Sequence, residues 1–184
     1  SAGWSVAGAG DVNKDGHDDV IIGAPGVNSN AGTTYVVFGG KALTNINLAS
    51  MTVKQGFVIG GCESGTDQTG FSVAGTDING DGYSDIIFGS PMSYNNGGAI
   101  SIWHGTLITK NFDCHGGGIP FIGKAASYYD NSGTNLYFGR SVSKAGDVNG
   151  DGLNDYIVGF IGLTHKEILI LFIKLNCVPS LTLI

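Results

Sequence analysis

Basic residues are scarce in this chain. Nine Lys and Arg stand against 15 Asp and Glu among 184 residues, and charged residues make up only 13% of the whole. No basic patch is available to neutralise phosphates, which excludes nucleic acid as a partner. Cysteine is rare as well. Cys62, Cys114 and Cys177 are an odd set and do not make a self-contained disulfide framework. Either their partners lie in further sequence or the thiols are free. The four histidines, at 17, 104, 115 and 165, form no His-Glu-x-x-His pair, and there is no Gly-x-Ser-x-Gly elbow. Metalloprotease and α/β-hydrolase chemistry therefore have no residues to run on, and no enzyme activity is expected. An Asn-x-Ser/Thr sequon is also missing, as are an initiator Met and a signal peptide. The chain opens on Ser1-Ala2-Gly3-Trp4 and reads as an internal piece of something longer.

Glycine is abundant. There are 32 glycines without a period of three, which rules out collagen. Many glycines, many short β-type runs and few long helical patterns indicate an all-β fold.

The most informative feature is a loop pattern, Asp-x-Asn-x-Asp-Gly-x-x-Asp, that starts at Asp11, Asp77 and Asp147, 66 and then 70 residues apart. Hard divalent cations such as Ca²⁺ take several oxygen ligands, and a short loop supplies them from alternate positions. The spacing offers side-chain oxygens from Asp11, Asn13, Asp15 and Asp19, from Asp77, Asn79, Asp81 and Asp85, and from Asp147, Asn149, Asp151 and Asp155. Position 7 holds His17, Tyr83 and Leu153. Three unrelated side chains there fit a backbone-carbonyl donor whose identity does not matter. Position 6 is Gly16, Gly82 and Gly152, where a sharp turn favours φ > 0. A helical EF-hand needs a Glu at position 12, but that position is Ile22, Phe88 and Val158. Ten of the 15 acids lie in the three loops, and three Ca²⁺ ions would bring the formal charge of −6 to zero. Asp and Asn also form turns without any metal; three copies with identical spacing favour metal, so three Ca²⁺ sites are expected.

The repetition extends beyond the loops. Gly3-Trp4-Ser5-Val6, Gly70-Phe71-Ser72-Val73 and Gly139-Arg140-Ser141-Val142 precede them, and Val20–Gly23, Ile86–Gly89 and Tyr156–Gly159 follow. Further apolar runs at Thr33–Phe38 and Gly56–Gly60, and at Ala99–Trp103 and Ile119–Gly123, give four short strands per unit. That is the content of one β-propeller blade.

These composite motifs closely resemble the FG-GAP repeat of integrin α-subunit N-terminal propellers, with Phe138-Gly139 and Gly23-Ala24-Pro25 as the name-giving elements. The first two copies depart from it, with Ala2-Gly3 and Thr69-Gly70 where Phe-Gly is usual, and the second loop is approached one residue early. The resemblance implies a partial β-propeller of four-stranded antiparallel blades with calcium-binding hairpin loops. It spans residues 1–159, with blades at about 1–60, 61–123 and an incomplete 124–159. It further implies an extracellular or cell-surface module for adhesion or ligand recognition, with protein or matrix ligands and further blades as partners, and membrane association only through sequence outside this chain. The face opposite the calcium hairpins would carry the loops around Asn28–Asn30 and Tyr94–Asn96 and the connections at Cys62–Asp67 and Ala125–Asn135, with Tyr94, Tyr128 and Tyr129 as contacts or as packed loop aromatics. The alternative is a non-catalytic propeller beside a secreted hydrolase, such as the phospholipase D that cleaves glycosylphosphatidylinositol anchors.

Residues 160–184 break the pattern, with no glycine after Gly162. A membrane span is opposed by Lys166, Glu167, Lys174 and Pro179. An improvised third-blade strand at Glu167–Ile173 fits better, and the change of composition favours sequence from outside the normal reading frame. Asp130-x-Ser132-x-Thr134 is similar to an adhesion-type metal motif but sits in a loop, without the α/β setting that motif requires. With so few blades, sheet faces of the first two units are expected to lack a neighbour.

Overall fold

A computed structural model describes residues 2–41, 45–61, 66–105 and 135–161, and the backbone of 125–129 and 168–173. The chain is all-β, in three antiparallel sheets. The first is β1 (Ser5–Gly10), β2 (Asp19–Gly23), β3 (Thr33–Val37) and β4 (Gly56–Gly60), in that order. The second repeats the order with β5 (Ser72–Thr76), β6 (Asp85–Ser90), β7 (Ala99–Trp103) and β8 (Ala125–Tyr129). The third contains β9 (Ser141–Gly146), β10 (Asp155–Ile161) and β11 (Ile168–Ile173).

Each sheet is a meander whose first strand packs against the first strand of the next sheet. The fourth strand of the second sheet is thus Ala125–Tyr129, which puts Tyr128 and Tyr129 in a strand rather than a connection. The Ile119–Gly123 run lies outside the described residues, as do Cys62, Cys114, Cys177 and Asp130-x-Ser132-x-Thr134. No helix among the described residues is long and apolar enough to cross a membrane.

Strand periodicity distributes the core. Successive residues of β6 point to opposite faces. Ile86 and Phe88 join Ile21, Val36 and Phe57 between the first two sheets, while Ile87 joins Ile100, Tyr156 and Val158 between the second and third. Every residue of β6 is buried, whereas β2 alternates. This corrects the sequence expectation that both leading units expose a face. The second sheet is covered on both sides, which suits its unbroken Ile-Ile-Phe run. The open face belongs to the first sheet, where Val6 and Val20 are 66% and 44% exposed.

Two devices set register, one at the junctions between sheets and one within them. Ser5 Oγ donates to the Gly70 carbonyl and Ser72 Oγ to the Gly139 carbonyl, both at 2.8 Å. Parallel bridges join Gly32 to Thr69 and Gly98 to Phe138. A Cβ at Gly23 would be driven into the Gly70 carbonyl oxygen, and one at Gly89 into that of Gly139, so glycine is required for the backbones to meet. The second device is a bulge. Pairing of β1 with β2 skips Ala9, and pairing of β9 with β10 skips Ala145. In each case the next residue is a left-handed glycine, Gly10 at φ 71° and Gly146 at φ 72°, the glycine geometry common at such bulges. Pairing of β5 with β6 has no skip. The shorter approach to the second loop is therefore the loss of one bulge.

Candidate metal centres

The three loops join the first two strands of each sheet and lie at the same end of the stack. Their carboxylates collect backbone N–H groups in one shared pattern. Asp11 accepts from Asp15 N (3.0 Å) and Gly16 N (2.8 Å), Asp77 from Gly80 N (2.7 Å) and Gly82 N (2.9 Å), and Asp147 from Gly150 N (2.7 Å), Asp151 N (3.1 Å) and Gly152 N (2.8 Å). The amide oxygens of Asn13, Asn79 and Asn149 take the N–H groups of Asp15, Asp81 and Asp151. Those three carboxylates in turn take the N–H groups of His17, Tyr83 and Leu153.

Two left-handed turns make this wrap feasible. Gly16, Gly82 and Gly152 have φ of 86°, 83° and 87°, as the pattern predicts. The second turn, two residues earlier, was not anticipated: Gly80 and Gly150 have φ of 75° and 76°, and Lys14 stands in the first loop at φ 61°.

The last aspartate of each loop is the buried one. Asp19, Asp85 and Asp155 are 1%, 0% and 6% exposed. Each takes the N–H of the residue after the first aspartate, from Val12, Ile78 and Val148, at 2.9 Å. Asp19 and Asp85 also accept from Gly39 N (2.8 Å) and Gly105 N (2.9 Å), which pins each loop to the end of the third strand. Burial pushes the Asp19 carboxyl above its ordinary value; the N–H groups of Gly39 and Val12 offset this, and the charges of Asp15 and Asp11 add to the upward push. Asp15 is held lower, chiefly by the Asn13 amide. A buried carboxylate beside two others is costly without a countercharge.

The donor set of Asp carboxylates and Asn amides is hard oxygen, the type that Ca²⁺ takes. Among the described residues no group of three His, Cys, Asp or Glu side chains converges to hold an ion, because these carboxylates are turned onto loop N–H groups.

Position 7 is less indifferent to its side chain than the sequence suggested. His17 Nδ1 lies 3.1 Å from Asp15 Oδ1, the Tyr83 ring lies 4.6 Å from Lys14 Nζ, and a Cβ on Gly80 would meet Leu153. Sequence reasoning also missed His104, whose Nδ1 is 3.1 Å from both Asp85 Oδ1 and Asn79 Nδ2. The signal available was its place directly after the strand Ala99–Trp103, one residue before Gly105.

Comparison with known proteins agrees with the repeat. A family model for the FG-GAP repeat matches residues 2–37 and 69–103. Integrin alpha-2 of Mus musculus is 30% identical over 167 residues, covering 86% of this chain and 13% of that protein. Integrin alpha-V of Gallus gallus is 29% identical over 186 residues, covering 97% of this chain and 16% of that protein. Phosphatidylinositol-glycan-specific phospholipase D of Rattus norvegicus is 32% identical over 115 residues, covering 56% and 13%. The chain thus spans 13–16% of the length of these relatives.

Proposed function

From a chain that carries FG-GAP propeller repeats and is similar to integrin α-subunits over most of its length, we propose a calcium-stabilised propeller module of the cell surface or extracellular space, used in adhesion or ligand recognition. One observation carries the calcium reading: three loops repeat a single pattern of oxygen placement, each closing over a buried aspartate. Asp11, Asn13, Asp15, Asp19 and the His17 carbonyl hold the first ion. Asp77, Asn79, Asp81, Asp85 and the Tyr83 carbonyl hold the second, and Asp147, Asn149, Asp151, Asp155 and the Leu153 carbonyl the third. The ion clamps the hairpin between the first two strands of a sheet and offsets the crowded carboxylates.

Compartment follows from affinity. With the ~10⁻⁴–10⁻³ M affinities of extracellular modules, millimolar Ca²⁺ contributes about 0.5–1.6 kcal/mol per site, whereas ~10⁻⁷ M cytosolic Ca²⁺ contributes nothing. Further blades, in sequence flanking this chain, cover the open face of the first sheet. Strand β11 supplies the outer part of the third blade, paired with β10.

The phospholipase D relative favours a second reading, a non-catalytic propeller beside a secreted hydrolase. Flanking sequence separates the two: a hydrolase domain favours the second, leg-like β-sandwiches and a membrane span the first. The metal reading is tested directly by Tb³⁺ luminescence titration and calorimetry. Three sites and a calcium-dependent rise in melting temperature are expected; no heat on adding Ca²⁺ and a melting point indifferent to chelator would overturn it.

A further inference from the structure

We propose that Asn149-Gly150 is a spontaneous modification site, where the metal-free third loop converts its asparagine to aspartate or isoaspartate. The conversion itself stands apart from the metal reading; the protection by Ca²⁺ described below rests on it.

An Asn-Gly pair is open to this reaction because glycine brings no Cβ to hinder attack by its nitrogen and leaves the backbone free to turn. The chain has three such pairs, at Asn79, Asn96 and Asn149. In the first loop Lys14 stands where the glycine would be, so its side chain guards Asn13. The Gly150 nitrogen gives its proton to hydroxide and attacks Asn149 Cγ. The Cγ–Nδ2 bond breaks, and Nδ2 takes a proton from water and leaves as ammonia. Water then opens the cyclic imide at either carbonyl, giving α-linked aspartate or β-linked isoaspartate. One water enters and one ammonia departs.

The nitrogens of the two loop pairs are held alike. Gly80 N donates to Asp77 Oδ1 and Gly150 N to Asp147 Oδ1, both at 2.7 Å. Asn79 Oδ1 and Asn149 Oδ1 accept the N–H two residues on, at 2.9 and 3.0 Å. The difference lies in the other half of the amide, which must swing for Cγ to reach the nitrogen. Asn79 Nδ2 is fixed at 3.0 Å from Asp81 Oδ2 and 3.1 Å from His104 Nδ1. His104 stands where Phe38 stands in the first unit, just before the glycine that binds the buried aspartate. Phe38 is buried in the core, whereas His104 turns onto the loop and locks its asparagine.

Asn149 Nδ2 meets the Asp155 carboxylate at 3.3 and 3.4 Å, the long limit of a hydrogen bond. A Cβ on Gly80 would meet Leu153 of the third loop, but one on Gly150 would meet nothing within 4 Å. Asn96 is tied to Asn135 Oδ1 at 3.2 Å, and the nitrogen of buried Gly97 is spent on the Tyr94 carbonyl at 3.1 Å. The third loop therefore has the free amide. A bound ion that takes Asn149 Oδ1 fixes this amide too. Isoaspartate adds a methylene to the backbone after residue 149, which shifts Asp151, the Leu153 carbonyl and Asp155 out of step with Asp147.

The test incubates the untagged full chain in chelator at mildly alkaline pH. Peptide mass spectrometry follows each asparagine, and electron-transfer fragmentation separates the two linkages. A parallel sample in guanidinium gives the rate of each pair without a fold, and there the three should convert alike. In the folded chain, Asn149 is expected to convert roughly tenfold faster than Asn79, the factor that one or two extra hydrogen bonds supply, and faster than Asn96. Gly150→Ala should stop the reaction, and millimolar Ca²⁺ should slow it in the wild type. No conversion at Asn149, or equal rates at Asn79 and Asn149 in the folded wild type, overturns the inference and leaves the metal reading standing. Conversion at Asn149 that saturating Ca²⁺ does not slow overturns the third metal site and leaves the modification site standing.

Discussion

At the end opposite the metal loops, neighbouring sheets meet in the same way twice. A serine hydroxyl reaches the carbonyl of the next unit's glycine, from Ser5 to Gly70 and from Ser72 to Gly139. Backbone bonds repeat as well, from Thr69 N to the Ala31 carbonyl and from Phe138 N to the Gly97 carbonyl. At the loop end the junctions differ. The first and second loops are joined by Ser84 N to the Asp11 carbonyl and by Lys14 Nζ to the Asp81 carbonyl. The second and third loops are joined by Asn154 Nδ2 to the Asp77 carbonyl. One end is thus fixed by backbone geometry that any copy can reproduce. The other is fixed by contacts peculiar to each junction, one backbone bond and side-chain bonds that differ from copy to copy, around crowded carboxylates.

Gly89→Ala breaks the comparison most severely, because the added Cβ meets the Gly139 carbonyl and neither backbone can yield without losing its ladder. A loss of roughly 3 kcal/mol or more is expected, identical in Ca²⁺ and in chelator. A penalty present only in one condition would mean that the two ends are coupled. Asp81→Ala probes the loop end, where its carboxylate serves an exposed turn. It is expected to remove one Tb³⁺ site and lower stability by about 0.5–1.6 kcal/mol in millimolar Ca²⁺, with nearly unchanged melting in chelator.

The same division explains what could be read from the residues alone. The loop glycines and most strand positions were legible because each rests on backbone rules that recur with the period, left-handed turns and alternation; the fourth strand of the second sheet was not, since it is Ala125–Tyr129 and not the apolar run Ile119–Gly123. The missing bulge before the second loop was visible as one absent residue, Thr76 standing where Gly10 and Gly146 stand. His104 and Lys14 were not legible. Their roles depend on which way one side chain turns after a strand or around a loop, and Phe38 shows that the same place in the fold accepts the opposite choice.

A pH series sharpens the electrostatic half of the comparison. The Asp19 carboxyl is raised in the folded chain by burial and by its acidic neighbours, so between the ordinary value of 3.8 and the raised one the folded state holds a proton that the unfolded state has released. That contribution to stability is full below 3.8 and is lost as pH rises through the raised value. In chelator, the wild type is expected to gain from acidification relative to Asp19→Asn, and saturating Ca²⁺ should erase the difference in slope. Parallel slopes in chelator would show that this carboxylate is not under strain without metal.

The smallest effect is expected at Lys14, and there the sign carries the information. Its φ of 61° places it in the left-handed region that Gly80 and Gly150 occupy in the other loops, at a cost of about 1 kcal/mol for a residue with a Cβ. Against this stand its bond to the Asp81 carbonyl at 3.1 Å and its position over the Tyr83 ring, an exposed cation–π contact of about 0.5–1 kcal/mol. Lys14→Gly removes both the strain and the bridge, so its net change should fall within about 0.5 kcal/mol of zero. Lys14→Ala keeps the strain, loses the bridge and should be the less stable of the two. If alanine matches lysine, the ammonium contributes nothing at the junction; if alanine falls below lysine only in Ca²⁺, Lys14 transmits the state of one loop to the next.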